Sequence, residues 1–219
     1  EEKNHFDRAP SIQPSFFDFT SEILIDLFKI KSNQQVYKFK HIFNYLIFTL
    51  SLVFFYKFIE KRFKSKFLAI LGFMSLFLYP RIFANSFYNQ KDIFFTSLII
   101  IFIYLFYQFL KKNNDKYLIF LSITFAIMFT TRIFSIPIIL ILFIFMFLFN
   151  ENNSKKIIID FFKFGSISAL LIFLLWPYLW HAPVSNFIFG VKELLSYSPT
   201  YTILFEGNYI SSNIAPLFE

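Results

Sequence analysis

Residues 79–92 read YPRIFANSFYNQKD, and this polar stretch separates two long apolar runs of the chain. The run before it, 67–79, and the run after it, 93–110, consist almost wholly of apolar residues. A plain hairpin turn uses Gly, Asn or Ser, whereas this stretch brings together an Arg, a Lys-Asp pair and two Tyr. Ionisable groups concentrated at a membrane boundary indicate a functional site.

The composition predicts an integral membrane protein. Hydrophobic residues make up 57% of the chain, charged residues only 16%, and 38 of its 219 residues are Phe, whereas a soluble domain of this length carries more charge and far less Phe. The net charge of +7 does not call for a nucleic-acid partner, because most basic residues fall between the apolar runs. The lack of Cys excludes disulfides and thiolate metal sites.

Six apolar runs predict six membrane spans, and hence an all-α, polytopic helical bundle. The predicted spans are 41–59, 67–79, 93–110, 117–130, 133–149 and 157–180. We expect three regions: an outward-facing amphipathic segment over 1–40, a transmembrane helical domain over 41–180, and an outward-facing loop over 181–219.

Two amphipathic helices are predicted outside the spans. From Phe16 to Phe28 the apolar residues fall at helical spacing, which predicts a helix that either lies on the membrane surface or packs on the protein. In the tail, Pro183, Pro199 and Pro216 exclude a span, but 184–195 is typical of a short amphipathic helix.

The distribution of Lys and Arg predicts the orientation. Loops 57–66, 111–116 and 151–156 hold ten of these residues, whereas the alternating segments 81–92, 131–132 and 181–219 hold four. The basic loops are therefore expected on the cytoplasmic side and the polar stretch on the outer side. The N-terminal segment is also rich in Lys yet must lie outside, where its Lys side chains are expected to contact anionic headgroups.

The candidate site residues come from the polar stretch and from the short turn after the fourth span. They are Asp92 as a supporting catalytic group, and Arg81, Asn85, Tyr88, Asn89, Lys91 and Arg132 as substrate-binding groups. An Arg guanidinium near the membrane edge suits a phosphate, since its planar fork donates two parallel hydrogen bonds. Simpler explanations stay open: Asp92 stabilises a helix N-terminus by about 0.3–1 kcal/mol, and Arg132 extends to the interface.

The sequence assigns no metal site and no nucleotide-binding motif. Its three His residues (His5, His41, His181) lack paired-ligand spacing, and a chain with only 4 Gly has no phosphate-binding loop. No cofactor is assigned, although a divalent metal, Mg²⁺ or Mn²⁺, stays an open alternative.

The stretch PRIFANSFYNQKD, 80–92, resembles a segment of bacterial membrane glycosyltransferases related to the dolichyl-phosphate-mannose protein mannosyltransferases. The family pattern is close to P-R-I-F-A-H-x-F-Y-N-x-K-D, and Asn85 stands here where His is common. Three further stretches agree in order: KHIFN at 40–44, TRI at 131–133, and EGNYISSNIAP at 206–216, which is followed by Leu217 instead of the usual aromatic residue.

This resemblance implies a GT-C fold enzyme that transfers sugar from a polyprenyl-phosphate donor to an acceptor at the outer face of a bacterial inner membrane. It places the principal catalytic carboxylate in the first outward loop, but neither Asp7 nor Asp18 matches a family motif. The chain begins at Glu1 without Met, so we expect a fragment and leave the catalytic base unassigned. The sugar and the acceptor also stay open. The alternatives are a transporter or lipid-carrier component without enzymatic activity, and an inactive fragment.

Overall fold

The computed structural model describes residues 16–132, 135–149, 154–196, 202–205 and 208–211, which form a helical bundle followed by a short hairpin. The helices are α1 (Phe16–Leu27), α2 (Asn33–Phe63), α3 (Lys66–Phe77), α4 (Pro80–Tyr88), α5 (Gln90–Lys112), α6 (Asp115–Thr131), α7 (Ile136–Phe149), α8 (Ser154–Leu175) and α9 (Pro183–Ser196). A 3₁₀ turn, Pro177–Leu179, separates α8 from α9. The prediction of a helical membrane bundle is confirmed.

The tail adds the only strands in the described part of the chain. Strand β1 (Thr202–Phe205) pairs antiparallel with β2 (Asn208–Ser211), with Thr202 opposite Ser211 and Phe205 opposite Asn208. This hairpin was not predicted from the sequence. The predicted amphipathic helix of the tail is confirmed as α9.

Several helix bounds differ from the predicted spans for identifiable reasons. Helix α2 begins at Asn33, eight residues before the predicted span, because polar residues without Gly or Pro do not stop a helix. Helix α8 ends at Leu175, five residues early, because Pro177 has no N–H to continue the ladder. The polar stretch, expected to be a loop, is instead helix α4 and the start of α5.

Three described helices are long and apolar enough to cross a membrane: α2, α5 and residues 155–175 of α8. Helices α3 and α4 meet that criterion only together, as a pair bent by 61° at the break before Pro80. Helices α6 and α7, with 17 and 14 residues, are shorter than the 20 or so residues of a perpendicular span. The count of six spans therefore stays a prediction.

The core forms where α5 packs against α2 on one side and against α6 on the other, with α8 behind α6. Its centre is a phenylalanine-rich cluster that includes Phe102, Phe109, Phe125 and Phe164. The opposite surfaces expose large apolar side chains at helical spacing, such as Leu46 and Leu50 on α2, each more than half exposed. Exposed apolar surface of this extent is typical of a lipid-facing protein.

Helix α1 packs on the bundle, which is one of the two alternatives that the sequence left open. Phe17, Ser21 and Ile25 are buried beneath it. A second apolar stripe, Phe19, Ile23 and Leu27, remains exposed on the other side of the same helix.

Two contacts from α2 hold α4 in place. The Asn44 side-chain Nδ2 donates to the backbone carbonyl of Ser86 at 2.7 Å, and both residues are fully buried. The ring of Tyr45 stacks on that of Phe87 with centroids 4.7 Å apart. Because the Ser86 carbonyl is close to the end of α4, these contacts fix how the polar stretch returns to the bundle.

We expect Asn44→Ala to lower the free energy of unfolding by about 1–3 kcal/mol, since it leaves a buried carbonyl without its side-chain donor. Gln35→Ala, in the exposed first turn of the same helix, is the matched control and should have little effect. Denaturation in detergent micelles measures both variants. Equal stability of the two would contradict a tethering role for Asn44.

Candidate active site

Asp92 lies in the first turn of α5 and is held there by Asn89, the residue that caps this helix. The backbone N–H of Asp92 donates to Asn89 Oδ1 at 3.2 Å, and Asn89 Nδ2 donates back to Asp92 Oδ2 at 2.9 Å. The exchange satisfies one exposed backbone donor of the helix end and fixes one carboxylate oxygen. The other oxygen, Oδ1, is left for a partner outside α5.

That partner is Arg132, whose Nη2 donates to Asp92 Oδ1 in an ion pair. Arg132 directly follows α6, and its own N–H donates to the carbonyl of Met128 at 2.8 Å. The pair therefore joins the first turn of α5 to the last turn of α6. The sequence predicted both residues as site residues, and the structure brings them together.

The pair is half-open to solvent. The Arg132 side chain is 37% exposed and the Asp92 side chain 58%. A pair this exposed contributes on the order of 0–1 kcal/mol to stability, so holding the fold is a minor part of what it does. A guanidinium has five N–H donors, and the carboxylate occupies only part of that set.

The pairing could have been read from the helical hairpin. Helices α5 and α6 are antiparallel and are joined by Asn113 and Asn114 alone, so residues equally far from this turn lie side by side. Asp92 is about as far before this turn as the residues that follow α6 are after it, so the two lie close together. From the sequence Asp92 was predicted as a supporting catalytic group, but its pairing with Arg132 was not predicted.

The other residues of the polar stretch are spread along α4. Arg81 lies in its first turn and Tyr88 at its end, about 10 Å apart along the helix axis. Asn85, in between, donates from Nδ2 to the Arg81 carbonyl at 2.8 Å. Arg81 and the Asp92–Arg132 pair thus lie at opposite ends of α4.

Arg81, Tyr88 and Lys91 are exposed. Among the described residues, neither Arg81 nor Lys91 forms an ion pair with a carboxylate. Lys91 precedes Asp92 in the first turn of α5, so a second cation lies on the same helix turn as the Asp92–Arg132 pair. This end of the bundle is therefore suited to hold an anion.

Helix α1 brings the N-terminal segment to this same end. The rings of Phe16 and Phe17 contact that of Phe94, two residues after Asp92, at centroid distances of 6.3 and 5.3 Å. Lys40 of α2 binds α1 through Glu22 at 2.7 Å and Asp18 at 3.8 Å. The described carboxylates of the N-terminal segment thus lie on a helix packed beside the start of α5, while Asp7 falls outside the described residues.

Within the described ranges, no group of three or more His, Cys, Asp or Glu side chains is placed to hold a metal ion. Apart from the carboxylates of α1, the polar groups named around the start of α5 are cations, amides and Asp92. This set binds phosphate oxygens well, because charge-assisted hydrogen bonds from Arg and Lys to phosphate are short and strong.

The dolichyl-phosphate-mannose-protein mannosyltransferase family matches residues 13–181, well over half of the chain. The match begins before α1 and includes the Asp92–Arg132 pair, but it ends at residue 181, so the resemblance at 206–216 lies outside it. No curated protein and no solved structure matches the chain. The chain is an integral membrane protein that belongs to the dolichyl-phosphate-mannose-protein mannosyltransferase family, a family of membrane glycosyltransferases.

Proposed function

We propose that this protein transfers a sugar from a polyprenyl-phosphate donor to an acceptor at the end of the bundle where Asp92 and Arg132 meet. The observation that carries the proposal is the half-exposed ion pair at the edge of the apolar region, which presents a guanidinium with N–H donors that no other described residue occupies. Family membership supports glycosyl transfer in general. The charge asymmetry of the loops supports an outer-face site, in a bacterium the periplasmic side of the inner membrane.

The donor phosphate is expected to bind at the start of α5. Arg132 would donate to its oxygens, and Lys91 would add a second positive charge. The N-terminus of the 23-residue helix α5 contributes a favourable dipole at the same place. Arg81 is the alternative phosphate ligand, and its position at the far end of α4 predicts a smaller effect on transfer.

In the proposed reaction an acceptor hydroxyl oxygen attacks the anomeric carbon of the sugar and inverts its configuration. The bond from that carbon to the phosphate oxygen breaks, and its electron pair leaves with the polyprenyl phosphate. The hydroxyl proton passes to a carboxylate of the first outward segment, acting as general base. The cations stabilise the charge that develops on the departing phosphate.

Asp92 acts in this scheme as a positioning residue. Both of its carboxylate oxygens have partners, Asn89 on one side and Arg132 on the other. A carboxylate so engaged is poorly placed to accept a proton, but it fixes the direction of the Arg132 fork. Asn85, Asn89 and Tyr88 would contact the sugar or the acceptor.

We expect Arg132→Ala to lower transfer by about 10²–10³-fold, as loss of a transition-state donor does in other enzymes. Arg132→Lys should recover part of the rate, because it keeps the charge but loses the fork. Asp92→Asn should cost on the order of 10–10²-fold through misplacement of the guanidinium. Transfer from radiolabelled polyprenyl-phosphate sugars is measured in membranes that contain the full-length gene product.

A matched control lies at the other end of the bundle. Lys163 of α8 and Asp115 of α6 form an ion pair at 3.0 Å with similar exposure, 46% and 65%. Lys163→Ala and Asp115→Asn should leave transfer unchanged. Normal transfer by Arg132→Ala would remove this residue from the site, and absence of transfer from every donor by the unaltered protein would refute the proposed activity.

Exchange of the two charges separates function from folding. In the double variant Asp92→Arg/Arg132→Asp the ion pair can form again, so we expect the stability lost in each single variant to return. Transfer should not return, because the cation now stands on α5 and the carboxylate at the end of α6. Recovery of both properties would show that the pair serves only the fold.

A further inference from the structure

At the other end of the bundle, lysine and tyrosine side chains from three helices contact each other. They come from the last turn of α2, the last three turns of α5 and the first turn of α6. We call this the Lys–Tyr cluster; it consists of Lys61, Lys111, Lys112, Tyr104, Tyr107 and Tyr117.

Lys61 connects α2 to α5 through two tyrosines. Its Nζ donates to the Tyr104 hydroxyl at 3.1 Å and lies 5.2 Å from the centre of that ring. The Tyr107 hydroxyl in turn donates to the backbone carbonyl of Lys61 at 2.9 Å. The end of α2 is thereby held against α5 by neutral phenol groups.

The same arrangement recurs between α5 and α6. Lys112 Nζ donates to the Tyr117 hydroxyl at 3.0 Å and lies 5.2 Å from its ring centre. Lys111 Nζ lies 5.1 Å from the ring centre of Tyr107. These ammonium groups are thus positioned by aromatic rings and hydroxyls.

The contacts orient the charges without neutralising them. In residues 16–132 no cluster lysine forms an ion pair with a carboxylate. Residues 57–66 and 111–116 contain eight Lys and Arg but only Glu60 and Asp115 as acids, and Asp115 is paired with Lys163 of α8. An excess of fixed positive charge therefore remains at this end.

We infer that the Lys–Tyr cluster binds the phosphate of anionic phospholipid headgroups. Tyrosine rings at the ends of apolar helices mark the membrane–water boundary, where the headgroup phosphates lie. The hydroxyls of Tyr104 and Tyr117 accept from lysine, so each keeps its own proton to donate to a phosphate oxygen. Orientation of the chain in the membrane requires positive charge here, but it does not require that charge to be held in place by tyrosine.

The test uses purified protein and compares phosphatidylglycerol with phosphatidylcholine of the same acyl chains. Native mass spectrometry counts the retained lipids, and thermal unfolding measures the stabilisation that each lipid gives. Phosphatidylglycerol is expected to be retained and stabilising, and the effect should weaken with salt. Each of Lys61→Gln and Lys112→Gln should weaken its binding about fivefold, which corresponds to about 1 kcal/mol per lysine at an anionic surface.

Tyr104→Phe and Tyr117→Phe should also weaken binding although they leave the charge unchanged, which a purely electrostatic patch would not show. Lys38→Gln, at an exposed position near the opposite end of α2, is the comparison variant: its ammonium is also expected to meet headgroups, but it lies outside the Lys–Tyr cluster, so its loss should weaken binding less than the loss of Lys61 or Lys112. Equal retention of the two lipids would overturn the inference. So would equal loss in Lys38→Gln, or equal stabilisation by inorganic phosphate.

Discussion

The burial of α5 between α2 and α6 is the constraint on which the rest of the structure depends. This helix has apolar residues on both sides, and its described core side chains pack into one phenylalanine-rich cluster with those of α6 and α8. Its two ends then fix the two polar regions. Gln90 to Asp92 stand at one boundary and Lys111 and Lys112 at the other, with Tyr104 and Tyr107 in the turns just before them. A helix of 23 residues is about 35 Å long, close to the thickness of a bilayer core.

The two polar regions hold their cations in different ways. At the start of α5 a cation meets a carboxylate, and their attraction fixes a guanidinium while leaving it half-exposed. At the end of α5 cations meet phenols, which hold them by hydrogen bonds and ring contacts but leave their charge uncompensated. A fixed, partly neutralised cation suits selective recognition of one phosphate, whereas fixed, uncompensated cations suit a surface of many phosphates.

Much of this arrangement could be predicted from the sequence, because composition and apolar length govern membrane helices strongly. The helical class, α1 and α9 followed from patterns of this kind. Asp92 and Arg132 were both predicted as site residues, which stays a prediction, but their contact with each other was not predicted. Helix bounds were less predictable, since the polar residues from Asn33 onward continue a helix that hydropathy alone would begin at His41. The Asn44 contact with Ser86 and the hairpin of β1 and β2 depend on pairing between distant residues, for which composition carries no signal.

If Arg132 binds an anion as proposed, the ion pair between Asp92 and Arg132 also couples that binding to helix position. An anion that draws Arg132 toward itself competes with Asp92. Part of its binding free energy then goes into weakening the ion pair that joins the ends of α5 and α6. By thermodynamic linkage, a change that weakens this ion pair raises the affinity for the anion by the same factor. The contact between the two helices and the proposed binding of an anion are therefore coupled equilibria, because both use Arg132.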